Sequence, residues 1–345
     1  MKNITGIMLA LLISMTSCGK NDNKTAVPVT PSNLVVTANV SIDGSGVVAF
    51  SATADNAVTY DYDFGNGNYM TAPTGKINYT YSTPGNNTYT VTVTAKSKDA
   101  LVITKSVQVV ISVANNPVWA DEFNTNGAPD QAKWGYDLGT GDNGWGNQEK
   151  QYYTNRTQNV EVSNGTLKIT AMKEAHQGSA YTSTRMLTKG KFSFKYGRVE
   201  ARAKLPIGGG TWPAIWMLGD NVSTIGWPAC GEIDIMEHNG NNLNKIYGTM
   251  HYPGRSGGNA DGGTTMITNA ATEFHKYAVD WTPAFIKVYV DDQLFFTYVN
   301  TAASPFNNNF FVILNFAMGG AFGGAIDPAY TSSTFEVDYV RVYKN

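Results

Sequence analysis

The segment GEIDIMEHNG, residues 231–240, carries three carboxylates within six positions of a stretch that otherwise reads as a strand. Side chains alternate faces along an extended chain, so Glu232 and Asp234 share a face and Glu237 falls one residue out of phase. A β-bulge within Ile235–Met236 would swing Glu237 back, and bulges gather beside active sites, where they re-aim a side chain. Three acids in a row on one face cannot all ionise cheaply, so one pKa must rise. The row then offers a charged carboxylate and a protonated one together. Glycoside cleavage requires that pair: one group protonates the leaving oxygen while the other attacks or activates water. Retaining enzymes hold the pair roughly 5–5.5 Å apart and inverting ones roughly 6.5–9.5 Å; residues two apart on a strand are spaced about 6.6–6.8 Å, and long Glu side chains leaning together can close a wider backbone gap.

The neighbours of the segment sharpen this reading. Ile233, Ile235 and Met236 are strongly apolar, as expected of a central strand. Trp212, Trp216 and Trp227 precede it in GTWPAIWMLG and IGWPACGEID. Indole faces stack on sugar rings, although a tryptophan is also a common core filler. A zinc site built from Glu232, Asp234, Glu237 and His238 is disfavoured, because His238 alternates to the opposite face and three carboxylates with one imidazole is an unusual zinc set. Cys230 lies two residues before Glu232 with no histidine near it, which fits a half-buried strand cysteine better than a nucleophile.

These side chains need a large β framework, and the composition supplies one. Of 345 residues, 42% are hydrophobic and only 15% charged, with a net charge of −2 and no basic run, which argues against a nucleic-acid partner. Gly, Tyr, Asn and Thr are abundant and long helical patterns are absent. From residue 118 to 345 the strands are long and aromatic-rich. KFSFKYGRVEARAKL (residues 191–205) alternates, IKVYVDDQLFFTYV reads as a hairpin around Asp291 and Asp292, and FEVDYVRVY closes the chain. The expectation is all-β: two large antiparallel sheets packed as a concanavalin-like jelly roll.

Residues 34–114 read differently, as about seven short strands separated by turn signals such as GNGN and STPG, a small Ig-like β-sandwich. YDYDFGNG followed by YTYSTPGNNTYTVTVTA resembles the PKD domain, with Tyr62 at the position of that family's Trp and Asn66 at that of its second Asp. A calcium loop in DYDFGN is excluded, because Gly65 takes the third ligand position and the downstream Glu is missing. Ahead of it, residues 18–33 form a polar, Pro-spaced linker. Residues 1–17 read as an export signal: Lys2 precedes the apolar run IMLALLI, which is too short to span a bilayer. Cys18 in SMTSCGK resembles the bacterial lipoprotein box, with Met15 where Leu is usual. That resemblance implies lipidation at Cys18 and an exported protein anchored in the bacterial cell envelope, its only membrane contact. Cys230 would then have no disulfide partner.

GEIDIMEHNG is similar to the Glu-x-Asp-x-x-Glu signature of glycoside hydrolase family 16 in its bulged, laminarinase-like form. The likeness extends through WADEFN, GWGNQEKQYYT, NGTLKITA, KYGRVEARAKLP, GTMHY, WTPAFIKVYVDD and VDYVRVY, which covers residues 118–345. By that resemblance Glu232 is the nucleophile, Glu237 the general acid/base, and Asp234 tunes their charge. Trp212, Trp216 and Trp227 would line the cleft, His251 would hydrogen-bond close to the acids, and Asn147, Glu149 and Arg185 would contact sugars before the cut. The resemblance also implies a structural calcium on Glu122, the Gly165 carbonyl and Asp338, and no cofactor for catalysis. The expected activity is that of a monomeric, retaining, endo-acting β-glucan hydrolase on β-1,3-glucan. Mixed-linkage β-1,3-1,4-glucan is the nearest alternative, and a non-catalytic glycan-binding module the alternative from another class.

Overall fold

The computed structural model describes residues 27–344, so the export segment and Cys18 lie outside the described residues. The chain forms two compact units that divide between Asn115 and Asn116.

The first unit is the small sandwich. One sheet contains Ser32–Val40, Val47–Asp55 and Lys76–Thr80, and the other Tyr69–Ala72, Thr59–Asp63, Gly85–Lys96 and Val102–Val113. Its core is built on Phe50, Tyr62, Phe64, Tyr81, Val91 and Val93. Tyr62, standing where a PKD domain has Trp, is fully buried, and its hydroxyl reaches the Gly75 carbonyl at 2.7 Å. Asp63 is engaged locally, accepting the Gly65 N–H at 2.9 Å as an ordinary turn cap.

The second unit is a jelly roll of a ten-stranded and a seven-stranded sheet. In the seven-stranded sheet the order is Asp261–Met266, Lys245–His251, Glu232–His238, Thr211–Gly219, Phe310–Met318, Arg185–Leu187 and Gly135–Asp137. Between the sheets lies one continuous core that includes Ile215, Met217, Ile233, Ile235, Met236, Val312, Leu314 and Phe316. Every residue of Thr211–Gly219 and of Phe310–Met318 is buried. Their alternate residues Ala214, Trp216, Leu218, Phe311 and Ile313 form a second, smaller apolar cluster outside that core. These two strands are covered on both faces, so their sequences show no polar alternation.

The hairpin at Asp291 and Asp292 is present: Phe285–Val290 and Gln293–Val299 flank two residues at φ 48° and 63°. Positive φ at both central positions is the type I′ geometry that matches strand twist. The alternating run 191–205 is a strand only over Gly197–Lys204. Before it the chain turns, with the Lys191 and Phe192 N–H groups bonded to the Thr188 carbonyl, and Tyr196 at φ 60° stops extension from the N-terminal side. Phe192 and Phe194 pack as a ring stack beside Trp119, and backbone pairing here is limited to a single antiparallel bridge between Phe194 and Phe310.

Candidate active site

The strand Glu232–His238 departs from regular pairing where the acids require it. Against Lys245–His251 the partners are Glu232 with His251, Asp234 with Thr249, and then Glu237 with Tyr247, so Ile235 and Met236 together face the single residue Gly248. Against Thr211–Gly219, Asp234 lies opposite Trp216 and Met236 opposite Ile215, which leaves Ile235 as the extra residue. Ile235 and Met236 both enter the main core, and Glu237 returns to the face that holds Glu232 and Asp234. Gly248 leaves little room for a side chain, since a Cβ there would meet Phe295 and Val288 at 3.0 Å and push them back by a few tenths of an ångström.

Glu232 and Glu237 each have their own donors. Trp227 Nε1 donates to Glu232 Oε2 at 2.8 Å. Trp212 Nε1 donates to Glu237 Oε1 at 3.0 Å and Thr249 Oγ1 to Glu237 Oε2 at 3.3 Å. His251 Nε2 lies 3.1 Å from Asp234 Oδ2 and 3.8 Å from Glu232 Oε1. Asp234 is 3% exposed, and its Oδ2 has no aligned hydrogen bond. Burial, then the neighbouring Asp234, pushes Glu232 up to about 8. Burial followed by the charge of Glu237 drives Asp234 far above the carboxylate range, with Glu232 in hydrogen-bond contact as the opposing influence. Burial also raises Glu237, opposed by His251, Trp212 and Thr249. Three acids so close share protons at neutral pH. Asp234 is the most enclosed of them, so a proton held there and shared with Glu232 leaves Glu232, with Trp227 donating to it, the better-placed anion.

Glu232, Asp234 and His251 bring ligand-type atoms within 4.8 Å of one another. The Gly257 N–H donates to His251 Nδ1 at 3.1 Å, so the proton of the neutral ring sits on Nε2. A ring held in that tautomer presents an N–H to the acids and no lone pair, which is unsuited to a metal. His238 is on the core side, fully buried, with Nε2 bonded to the Leu243 carbonyl at 2.6 Å.

The three tryptophans play distinct parts. Trp227 is 49% exposed and lies near the His251 ring, offering an open indole face. Trp212 is largely buried and packs on Phe322 at 5.1 Å. Trp216 lies in the apolar cluster outside the main core, its Nε1 donating to Asn315 Oδ1 at 2.7 Å. Asn315 in turn donates to Tyr153 OH at 3.0 Å, and Tyr153 OH reaches Glu149 Oε2 at 3.2 Å. Glu149 also accepts from Gln151 and Asn147, and burial raises its pKa. Asn147 and Glu149 therefore organise one another and connect back to Trp216. Arg185 stacks between Trp145 and Trp216, 4.7 and 4.8 Å from their ring centres, and lies 3.0 Å from Asp137. This stack helps hold Trp145 at φ 55°, a left-handed conformation that costs about 1–2 kcal/mol outside glycine.

Asn315 and Gly257 join the site without a motif to announce them, and Thr249 and Tyr153 join it from inside GTMHY and GWGNQEKQYYT, where neither was singled out. Asn315 left one trace: it is the lone polar residue in FFVILNFAM. The residues expected to hold calcium are engaged otherwise. Both oxygens of Glu122 accept from Arg341, at 2.8 and 2.7 Å, and Asp338 Oδ2 accepts from Arg202 at 2.6 Å. Gly165 occupies the turn between Val160–Ser163 and Thr166–His176 at φ 76°.

Comparison with known proteins agrees with this geometry. Residues 26–110 match the model of the PKD domain, and residues 147–341 that of glycosyl hydrolases family 16. A β-glucanase of Rhodothermus marinus is 47% identical over 244 residues, spanning 66% of this chain and 84% of that protein. The solved laminarinase from Rhodothermus marinus superposes with a TM-score of 0.63 at 46% identity, over 66% of this chain and 97% of that one. A solved non-specific endo-β-1,3(4)-glucanase gives 0.64 at 41% identity, over 67% and 95%. With its bulged acid strand set on one sheet of a jelly roll, and with a PKD domain ahead of it, the chain belongs to glycosyl hydrolase family 16.

Proposed function

We propose that this chain is a retaining, endo-acting β-glucan hydrolase whose preferred substrate is β-1,3-glucan. The observation that carries the reading is the bulge at Ile235, which sets Glu237, with Trp212 and Thr249 as donors, on the same face as Glu232. In the first step Glu232 attacks the anomeric carbon as Glu237 transfers its proton to the departing glycosidic oxygen, leaving a glycosyl ester on Glu232 and a carboxylate on Glu237. Glu237 then takes a proton from water, whose oxygen displaces Glu232 from the anomeric carbon. Two inversions give net retention. Asp234 keeps a proton in contact with Glu232, limiting the charge that the buried row must hold in the free enzyme.

The test compares laminarin, lichenan and agarose side by side by reducing-sugar release, and follows the anomer first formed by NMR. Faster release from laminarin, with the β-anomer formed first, is expected. Glu232→Gln should lose nearly all hydrolysis while still binding laminarin; binding without turnover in the unaltered protein would make it a glycan-binding module. Preference for lichenan would favour the mixed-linkage reading, which the likeness to a non-specific endo-β-1,3(4)-glucanase supports.

The same proposal places the enzyme as a monomer outside the cytoplasm, tethered by lipid at Cys18; Cys18→Ala should move it from the membrane to the soluble fraction, and light scattering should give the monomer mass. It also includes a structural calcium at Glu122, the Gly165 carbonyl and Asp338. Oxygen donors suit calcium, but as arranged here Arg341 and Arg202 would have to release the two carboxylates. A melting temperature that rises with calcium, and no longer does so in Asp338→Asn, is the expected outcome.

A further inference from the structure

The proton on His251 Nε2 is placed by a turn outside the row of acids. The chain leaves the Lys245–His251 strand through Tyr252, whose backbone N–H and C=O pair with Arg255 at 2.8 and 2.9 Å. It then forms the short turn Gly257–Asn259 and re-enters the sheet at Asp261. Asp261 closes the excursion. One of its oxygens accepts from Tyr252 OH, and the other from Arg255, whose Nε lies at 2.9 Å. Tyr252 is itself wedged between Tyr298 and Phe306, at ring distances of 5.5 and 5.9 Å. Asn259 Nδ2 ties the far side of the turn to the Gly254 carbonyl at 3.2 Å. The result is a Gly257 N–H aimed at His251 Nδ1.

We propose that Asp261, with Arg255 and Tyr252, is a positioning clamp that fixes the His251 tautomer, so that the ring turns an N–H toward Asp234 and Glu232 throughout the reaction. This deepens the hydrolase reading and rests on it. A backbone N–H can only donate, so the nitrogen it meets must carry a lone pair, and a neutral ring then has its proton at Nε2. Were the proton on Nδ1, two N–H groups would oppose each other and a lone pair would face the acids. The charged groups that face the ring are Glu232, Asp234 and Glu237 from the flanking strand, while Asp261 and Arg255 pair with each other and hold the turn that carries Gly257. A proton on Nε2, which lies 3.1 Å from Asp234 Oδ2 and 3.8 Å from Glu232 Oε1, offsets their shared negative charge through space, without an aligned hydrogen bond and without adding a proton to the row.

The test uses the full chain with Asp261→Asn, Arg255→Ala and the conservative Arg255→Lys. Long-range nitrogen–proton spectra of histidine-labelled protein read the His251 tautomer directly, without substrate. The unaltered protein should show the proton on Nε2, and Asp261→Asn should shift His251 toward a mixture. On laminarin, kcat should fall between about tenfold and a hundredfold with KM within about twofold, the pattern of a displaced catalytic group, and Arg255→Lys should recover much of the loss relative to Arg255→Ala. An unchanged tautomer and kcat in a folded Asp261→Asn protein overturns the proposal, as does a loss confined to KM, which would make the turn a sugar contact. If Asp261→Asn does not fold, the Arg255 pair decides by the same spectra. Should the unaltered protein cleave no β-glucan, the functional reading fails while the spectra still judge the clamp.

Discussion

Trp212→Phe is the substitution that most directly interrogates the acid/base. It removes the indole N–H that donates to Glu237 Oε1 at 3.0 Å and keeps an aromatic ring against Phe322. A hydrogen bond to a charged group is worth about 1.5–3 kcal/mol, and Glu237 is partly exposed, so the lower end applies. At about 1.4 kcal/mol per pH unit, losing this donor raises the Glu237 pKa by about one unit. The sign follows from the bond itself, which favours the carboxylate; without it the protonated form persists to higher pH. In the proposed mechanism protonated Glu237 is the acid of the first step, so the alkaline limb of kcat/KM, which reports the free enzyme, should move up by about one unit. The assay is initial-rate reducing-sugar release from laminarin across a pH series in constant ionic strength. Thr249→Val, which removes the longer 3.3 Å contact, should move the same limb in the same direction by less. An alkaline limb that stays fixed or moves down in Trp212→Phe, with the acid limb shifting instead, would refute the assignment of Glu237.

Three further outcomes follow from the same contacts. Glu232→Gln should stabilise the fold at pH 8 relative to pH 5: burial raises the carboxyls of the row, so the folded row keeps a proton that the unfolded chain gives up near pH 4.5, a contribution to stability that is full below that value and lost as pH rises, and removing one carboxyl relieves the loss; equal melting shifts at both pH values would contradict this. Asn315→Leu strands the buried Trp216 Nε1 and should cost about 2 kcal/mol, read as a fall of roughly 4–8 °C in the calorimetric melting of the catalytic unit; an unchanged transition would show that the bond to Asn315 is dispensable. Gly248→Ala places a methyl group 3.0 Å from Phe295 and Val288, and should destabilise by about 1–3 kcal/mol with a loss of kcat; a fully active, equally stable protein would mean that Phe295 and Val288 give way freely opposite the bulge.

The row of acids could be read from sequence because residue type and strand parity alone place Glu232 with Asp234, and the odd spacing of Glu237 demands an irregularity. The two-sheet jelly roll was legible for a similar reason, as was the hairpin at Asp291 and Asp292. What escaped depends on register between distant strands. Thr249 reaches Glu237 only because the bulge advances one strand past the next. Asn315 meets Trp216 Nε1 and Tyr153 OH across elements more than 90 residues apart. Arg341 and Arg202 meet Glu122 and Asp338 across neighbouring strands, a pairing that no local pattern encodes. Residues 191–196 misled because their alternation serves a ring stack and one isolated bridge, from Phe194 to Phe310, and not a continuous ladder.

The bulge also has a bearing on how such an enzyme can change. Ile235 and Met236 are plugged side by side into the interior, and sliding the strand by one residue would pull an isoleucine out of the hydrophobic layer and push a carboxylate in. The spacing of the reacting groups is thus dictated from behind, by the packing of the interior. Loops in front can be exchanged to suit another polysaccharide without disturbing that spacing, provided the Trp212 and Trp227 donors to the acids are kept.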